Sequence, residues 1–421
     1  MIPRTTMRPF FLLSLVAAIA AADLTITADH RDGIYAAGET VTWTITGLPA
    51  DAAPTYTVKI GGRTVAAQGT LQPVEGTATV QTSLPGPGTL LLTIPTGEKT
   101  NAWGGAVVDW PRIAPAAPAP ADFDAFWKTK LATLQTIPAD PVLESVPSDD
   151  PRVDLWKISM ANINGSRING YLARPKGEAS CPAQLVVQWA GVYPLDKAWS
   201  VSQARNGWLT LNILAHDLPV DREKAFYDSL KAGALKDYSH IGANDRNASY
   251  FLRMYLSCYR AADYLTTRAD WNRATFLVSG GSQGALQAIV TAALHPAVTV
   301  ATGDVPAGCD HAGASVGRAP GWPNWVAGAT GAEAEARLKA AAYYDVVNFA
   351  PRVKVPVLVG VGLIDTTCPP AGVIAMFNQL GGPKRLVIMP TAEHVKGREP
   401  FQPVRNAWFL AARDGKPLPM E

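Results

Sequence analysis

The sequence predicts an α/β architecture, a mostly parallel sheet covered by helices on both faces, preceded by a small all-β unit. Three observations predict it. Residues 24 to about 111 alternate apolar and polar side chains in short runs broken by Gly and Pro. From Ala121 onward, buried-strand runs alternate with helical ones. Between the two lies Ile113-Ala114-Pro115-Ala116-Ala117-Pro118-Ala119-Pro120, a Pro/Ala stretch that reads as a stiff, extended linker. The bulk numbers agree. At 421 residues the chain suits two domains, and 48% hydrophobic content supplies a sizeable core. Charged residues are only 17%, too few for a disordered or coiled-coil chain. A net charge of +2 with no long basic run gives no electrostatic footing to a nucleic-acid or anionic-membrane partner.

The first 22 residues read as a signal peptide. Arg4 and Arg8 form a positive start, Pro9 to Ala20 an apolar stretch, and Ala18-Ile19-Ala20 or Ala20-Ala21-Ala22 a small-residue cleavage site. The apolar run is short for a bilayer span, so a soluble, secreted or periplasmic protein is expected. Residues 23–112 then read as an Ig-like β-sandwich. Strands are expected at Leu24 to Thr27, Val41 to Thr46, Tyr56 to Ile60, Thr77 to Thr82 and Thr89 to Ile94. Trp43, Tyr56, Trp103 and Trp110 could line a sugar-binding face, although such aromatics more often serve a core or an interface. His30 reads as a surface residue.

After the linker at 113–120, residues 121–421 form the larger unit. Asp122-Phe123-Asp124-Ala125-Phe126-Trp127 opens an amphipathic helix with an acidic first turn. Strands are expected at Leu185 to Trp189 and Leu209 to Leu214, with a helix at Tyr250 to Thr266. Three further strands follow, at Ala274 to Val278, Val355 to Gly362 and Lys384 to Met389, and Ala285 to Leu294 reads as a helix.

Ser279-Gly280-Gly281-Ser282-Gln283-Gly284-Ala285 joins that Ala274 strand to that helix and contains G-x-S-x-G. Strand, tight Gly turn and helix make this a candidate nucleophile elbow, with the Ser282 hydroxyl standing at a helix N-terminus. A serine hydroxyl attacks only when a histidine takes its proton, and the histidine needs a carboxylate to fix its tautomer. In α/β-hydrolases the order along the chain is serine, acid, histidine. Asp365 lies just past the Val355 strand, before Cys368-Pro369-Pro370. His394 lies past the final strand and is the only histidine after Asp365. An oxyanion hole needs two backbone N–H donors. Gln283 supplies one, and Gly191 or Val192 the other, with Tyr193 shaping the pocket. His216, His240 and His295 read as structural, while Asp310-His311 sits in a loop that could border the pocket. Cys181, Cys258, Cys309 and Cys368 are widely spaced and form no C-x-x-C, so zinc is not expected; buried thiols or a bridge both fit.

With these residues in place, the chain resembles the acetyl xylan esterase and cephalosporin C deacetylase family, the seventh carbohydrate-esterase family. The resemblance runs from about Ala121 to the C-terminus. It rests on Gly280-Gly281-Ser282-Gln283-Gly284, on Asp345-Val346-Val347-Asn348-Phe349-Ala350-Pro351-Arg352, on Gly362-Leu363-Ile364-Asp365 through Cys368-Pro369-Pro370, and on Gly303-Asp304-Val305-Pro306 and Asp122 to Trp127. It implies an α/β-hydrolase fold, acetyl-ester hydrolysis on small sugars without a cofactor or metal, and Ser282, Asp365 and His394 as nucleophile, acid and base. Pro306 joins the expected pocket on the same footing, and assembly into an oligomer is possible. The chain departs from the family where Leu214-Ala215-His216-Asp217 replaces Arg-Gly-Gln. It departs again where Trp189-Ala190-Gly191 replaces His-Gly-Tyr, and where Glu393-His394-Val395 replaces His-Glu. Two rivals share parts of this reading: an exported serine peptidase of the prolyl-oligopeptidase type, and an inactive carbohydrate-binding protein on a hydrolase scaffold.

Overall fold

The structure, a computed structural model, describes residues 24–49 and 53–421. The expected signal peptide falls outside the described residues. No described helix is long and apolar enough to cross a membrane.

The strands between Thr25 and Val108 form two sheets. One has three antiparallel strands, Thr25–Ala28, Thr40–Thr46 and Thr77–Ser83. The other has five, in spatial order Ile34–Tyr35, Asn101–Val108, Gly88–Pro95, Thr55–Ile60 and Thr64–Thr70. Strand Thr40–Thr46 shows why they stack. Its threonines face outward, while Val41, Trp43 and Ile45 are buried with Leu90, Leu92 and Ile94 from the other sheet. Trp43 is therefore a core residue and not part of a sugar-binding face. Trp110 packs on Phe377 of the larger unit, ring centroids 6.0 Å apart.

The Pro/Ala stretch carries no helix or strand, bends at Ala116 and Ala117, and is strapped down. Arg318 donates to the Ala114 carbonyl at 2.7 Å, the Ala116 N–H donates to Asp310 at 2.8 Å, and Asn378 donates to the Ile113 carbonyl at 2.8 Å.

The larger unit is built on nine strands: β1 (Val142–Ser145), β2 (Val153–Ala161), β3 (Arg167–Pro175), β4 (Cys181–Val187), β5 (Leu209–Ile213), β6 (Trp271–Gly281), β7 (Val300–Asp304), β8 (Val357–Gly362) and β9 (Lys384–Met389). Their order across the sheet is β9-β8-β7-β6-β4-β5-β3-β2-β1. The run from β5 to β9 is parallel, and β3, β2 and β1 add antiparallel pairs at one end. Helices cover both faces. Along β6, Phe276 and Val278 enter the core shared with α1 (Phe123–Gln135), α3 (Tyr250–Thr267), α4 (Gln283–Leu294) and α5 (Pro370–Gln379). Leu277 points the other way, to Trp408 and Phe401 of α6 (Phe401–Arg413). Near the other end of the sheet, Tyr171 and Ala173 of β3 pack with Val201 and Ala204 of α2 (Lys197–Arg205).

The β unit rests against the loops after β8 and β9. A Cβ on Gly105 would lie 2.6 Å from the Leu363 Cβ, and one on Gly33 would lie 2.7 Å from the Leu363 Cδ1 and 3.4 Å from Pro390. A second seam joins the Gly61 carbonyl to the Ala319 N–H at 2.7 Å.

Candidate active site

β6 runs straight into α4, with Ser282 as the residue between them. Ser282 has φ 56° and ψ −119°, a backbone region that costs a non-glycine residue roughly 1–3 kcal/mol. The surroundings over-determine it. Its N–H donates to the Asp304 carbonyl at 2.8 Å, and its carbonyl accepts from Ala307 at 3.1 Å. The flanking glycines have a steric reason. A Cβ on Gly280 would sit 2.3 Å from the Gly284 carbonyl carbon, and one on Gly284 would sit 2.4 Å from the Val187 oxygen. Gly281 is different, since its Cβ would meet nothing nearer than 3.9 Å.

His394 is in the loop after β9 and reaches Ser282 across the carboxyl ends of β7 and β8. Its Nε2 lies 2.9 Å from the Ser282 Oγ, and its Nδ1 lies 2.8 Å from Asp365 Oδ2. Asp365 is buried. Its Oδ1 accepts the Thr367 and Cys368 N–H groups, both at 2.8 Å, which turns Oδ2 toward the imidazole. A carboxylate facing Nδ1 puts the hydrogen on that nitrogen, and Nε2 is left as an acceptor for the serine hydroxyl.

Asp365, Cys368 and His394 could be read as a metal site, because their ligand atoms lie within 4.8 Å of one another. The chemistry of the set argues otherwise. Both Asp365 oxygens and both His394 nitrogens are already hydrogen-bonded, and burial pushes the Cys368 thiol well above its usual range, so it stays protonated. The four cysteines are free and buried.

The loop after β4 faces the elbow. The Gly191 N–H donates to the Tyr238 hydroxyl at 3.3 Å, and that hydroxyl donates in turn to Gln283 Oε1. Among the described residues, no acceptor lies on the Val192 N–H. The Gln283 N–H begins α4 and so has no partner within the helix.

His216, read from the sequence as structural, bonds the loop that faces the elbow. It is buried, and its Nε2 donates to the Gly191 carbonyl at 2.8 Å. Nδ1 therefore accepts, and the Tyr250 hydroxyl donates to it at 2.7 Å. Arg253 completes the chain, donating to the Tyr250 hydroxyl at 2.9 Å and to the Ala215 carbonyl at 2.6 Å. Burial pushes the His216 imidazole down to about 4, with Arg253 adding to the shift and the Gly191 carbonyl opposing it. The signal that could have found it was its place directly after β5, at a strand's carboxyl end.

Tyr193 folds over Gly191, and its hydroxyl donates to the Trp189 carbonyl at 2.8 Å. Pro306 is buried one residue before Ala307, which bonds the nucleophile's backbone. His311 is buried against Trp325, ring centroids 4.4 Å apart, and its Nε2 has no hydrogen-bond partner among the described residues. His240 Nε2 donates to the Asn324 carbonyl at 3.3 Å, so Nδ1 accepts from the Ser239 hydroxyl at 3.2 Å, and neither partner belongs to the elbow. His295 pairs with Asp263 at 3.1 Å, which ties the end of α4 to α3.

A family model described as acetyl xylan esterase (AXE1) matches residues 111–412. The acetyl esterase Axe7A of Xylanibacter ruminicola is 34% identical over 288 residues, which is 67% of this chain and 65% of that protein. The chain thus spans just under two thirds of that relative's length. Two solved structures share the fold. The acetyl xylan esterase from Paenibacillus sp. R4 superposes with a TM-score of 0.63 at 24% identity, covering 72% of this chain and 98% of its own. Acetyl xylan esterase 1 from Thermoanaerobacterium sp. JW/SL YS485 also gives 0.63, at 20% identity, covering 72% and 97%.

Proposed function

The chain belongs to the acetyl xylan esterase family, and on that premise we propose that it is a serine esterase removing acetyl groups from acetylated sugars such as xylo-oligosaccharides. One observation carries the reading: His394 bridges Ser282 and Asp365 at 2.9 and 2.8 Å, with Ser282 on a strained turn at a helix N-terminus. His394 Nε2 takes the hydroxyl proton as Ser282 Oγ bonds to the acetyl carbonyl carbon. Asp365 holds the imidazolium in orientation. The oxyanion is met by the Gln283 and Val192 N–H groups. Gly191 is the weaker candidate of the pair named above, because its N–H is held by Tyr238. The tetrahedral species collapses, the sugar oxygen leaves with the proton from His394, and an acetyl-enzyme remains. Water then adds to the acetyl carbon with His394 again as base, releasing acetate and restoring Ser282.

His216 belongs to this reading as a positioning residue. It pins the carbonyl of Gly191, and with it the peptide that carries the Val192 N–H. Residues 1–22 direct export, and residues 23–112 form an Ig-like domain. The latter is supported by its two stacked sheets and shared core.

The test is hydrolysis of p-nitrophenyl acetate and acetate release from acetylated xylo-oligosaccharides. Wild-type protein is expected to do both, and Ser282→Ala to lose at least about 10⁴-fold in kcat on each. Activity that survives Ser282→Ala would overturn the proposal.

A further inference from the structure

Tryptophan is rarely left in water, because its burial is worth more than that of almost any other side chain. The chain has twelve tryptophans. Of these only Trp189 and Trp199 are exposed, each to 43%, and they touch one another. Their ring centroids lie 5.0 Å apart at 56°. Tyr193 also stacks on Trp189, at 5.5 Å and 27°. The three rings form a ledge, and its position is defined by the chain. Trp189 and Tyr193 flank Gly191 and Val192 in the loop after β4, and Trp199 is in the first turn of α2, the next element. The ledge therefore starts at the loop facing Ser282 and leads outward along the carboxyl rim of the sheet. It is also held in shape. The Tyr193 hydroxyl bonds the Trp189 carbonyl, and a Cβ on Gly191 would meet the Tyr193 ring at 3.0 Å.

We propose that Trp189, Tyr193 and Trp199 form a sugar-binding subsite that holds the pyranose chain whose acetyl group enters the Ser282 site. This rests on the esterase reading above and says which part of the substrate lies outside the acetyl pocket. A pyranose ring presents a face of C–H bonds and an edge of hydroxyls. Flat, half-exposed aromatic rings cover the C–H face and leave the hydroxyls in water. A patch of exposed aromatic surface continuous with a reaction centre is what such a ring needs.

The experiment measures kcat/KM of wild-type, Trp199→Ala and Trp199→Phe proteins on p-nitrophenyl acetate and on acetylated xylotriose. The ratio of the second to the first is expected to fall about tenfold in Trp199→Ala, the size of one lost aromatic contact, with the loss in KM. Trp199→Phe should recover most of it. A ratio within twofold of wild type overturns the subsite while leaving Ser282-dependent ester hydrolysis standing. Absence of Ser282-dependent hydrolysis in wild type is the different result that overturns the esterase reading. Sedimentation velocity supplies a further outcome against the subsite: an oligomer that dissociates on Trp199→Ala would make the ledge a contact between copies.

Discussion

The two sides of the site are built in opposite ways. On the acid–base side, Ser282, Asp365 and His394 each sit within a few residues of a strand end, and backbone groups hold both Ser282, through Asp304 and Ala307, and Asp365, through Thr367 and Cys368. On the oxyanion side, the loop at Gly191 and Val192 is held from outside, by His216, Tyr238, Tyr250 and Arg253 from three other segments. The first side depends on backbone hydrogen bonds and the second on long-range side-chain bonds. The same reaction geometry is thus held by two devices, and substitutions should reveal which is which.

The largest effect should come from the acid–base side. His394→Ala is expected to lower kcat on p-nitrophenyl acetate by about 10⁴-fold or more with little change in KM, read by steady-state kinetics. Close behind is a backbone test of the elbow. Gly280→Ala must push the new methyl into the Gly284 backbone, and we expect a loss of about 3 kcal/mol or more, seen as a collapse in the urea midpoint. Gly281→Ala, with open space around it, should stay within about 1 kcal/mol of wild type. Equal damage at both positions would break the steric account of the motif.

The oxyanion side should yield smaller, separable losses. His216→Phe keeps a ring but strands the Gly191 carbonyl, so kcat should fall about 10- to 100-fold while fluorophosphonate labelling of Ser282 persists. Its pH signature is specific. His216 titrates near its ordinary 6.5 when unfolded and at about 4 when folded. From pH 6.5 down to about 4 the unfolded chain therefore gains a proton that the folded chain does not. Stability contributed by neutral His216 is complete above that window and falls by roughly 3 kcal/mol across it. Asp345 acts with the opposite sign. Burial raises it from 3.8 to about 7 against three backbone donors, so its contribution is present below that window and is lost as pH rises across it to about 7. The difference between wild-type and His216→Phe urea curves from pH 7 to pH 4 isolates the first term; parallel curves would contradict it.

The smallest expected effect sits at the seam with the β unit. Gly105→Ala would press on Leu363, two residues before Asp365, and should lower kcat a few-fold by shifting the acid loop. Unchanged kinetics would mean that the β unit does not support that loop.

This contrast also explains what the sequence disclosed. The elbow was legible because Gly280 and Gly284 are there for backbone contacts that no other residue allows. Asp365 and His394 followed from chain order after buried strands. β2 and β3 were not legible, because Asp154, Trp156 and Lys157 interrupt the apolar pattern of an antiparallel pair. Strand Asn101–Val108 was hidden by Gly104 and Gly105, which clear room for Trp43 and Leu363. His216 looked structural because its partners, Gly191 and Tyr250, are 25 and 34 residues away. Its place after β5 was the one local sign of such a bond. The exposure of Trp189 and Trp199 was equally invisible, since only packing tells a core tryptophan from one left in water.

The central claim is that His394 activates Ser282. The most direct measurement is the second-order rate of fluorophosphonate labelling, with the modified residue located by peptide mass spectrometry. The account predicts a single adduct on Ser282 in wild type and a rate reduced at least about 10³-fold in His394→Ala. An adduct on another residue, or equal labelling rates in the two proteins, would contradict it.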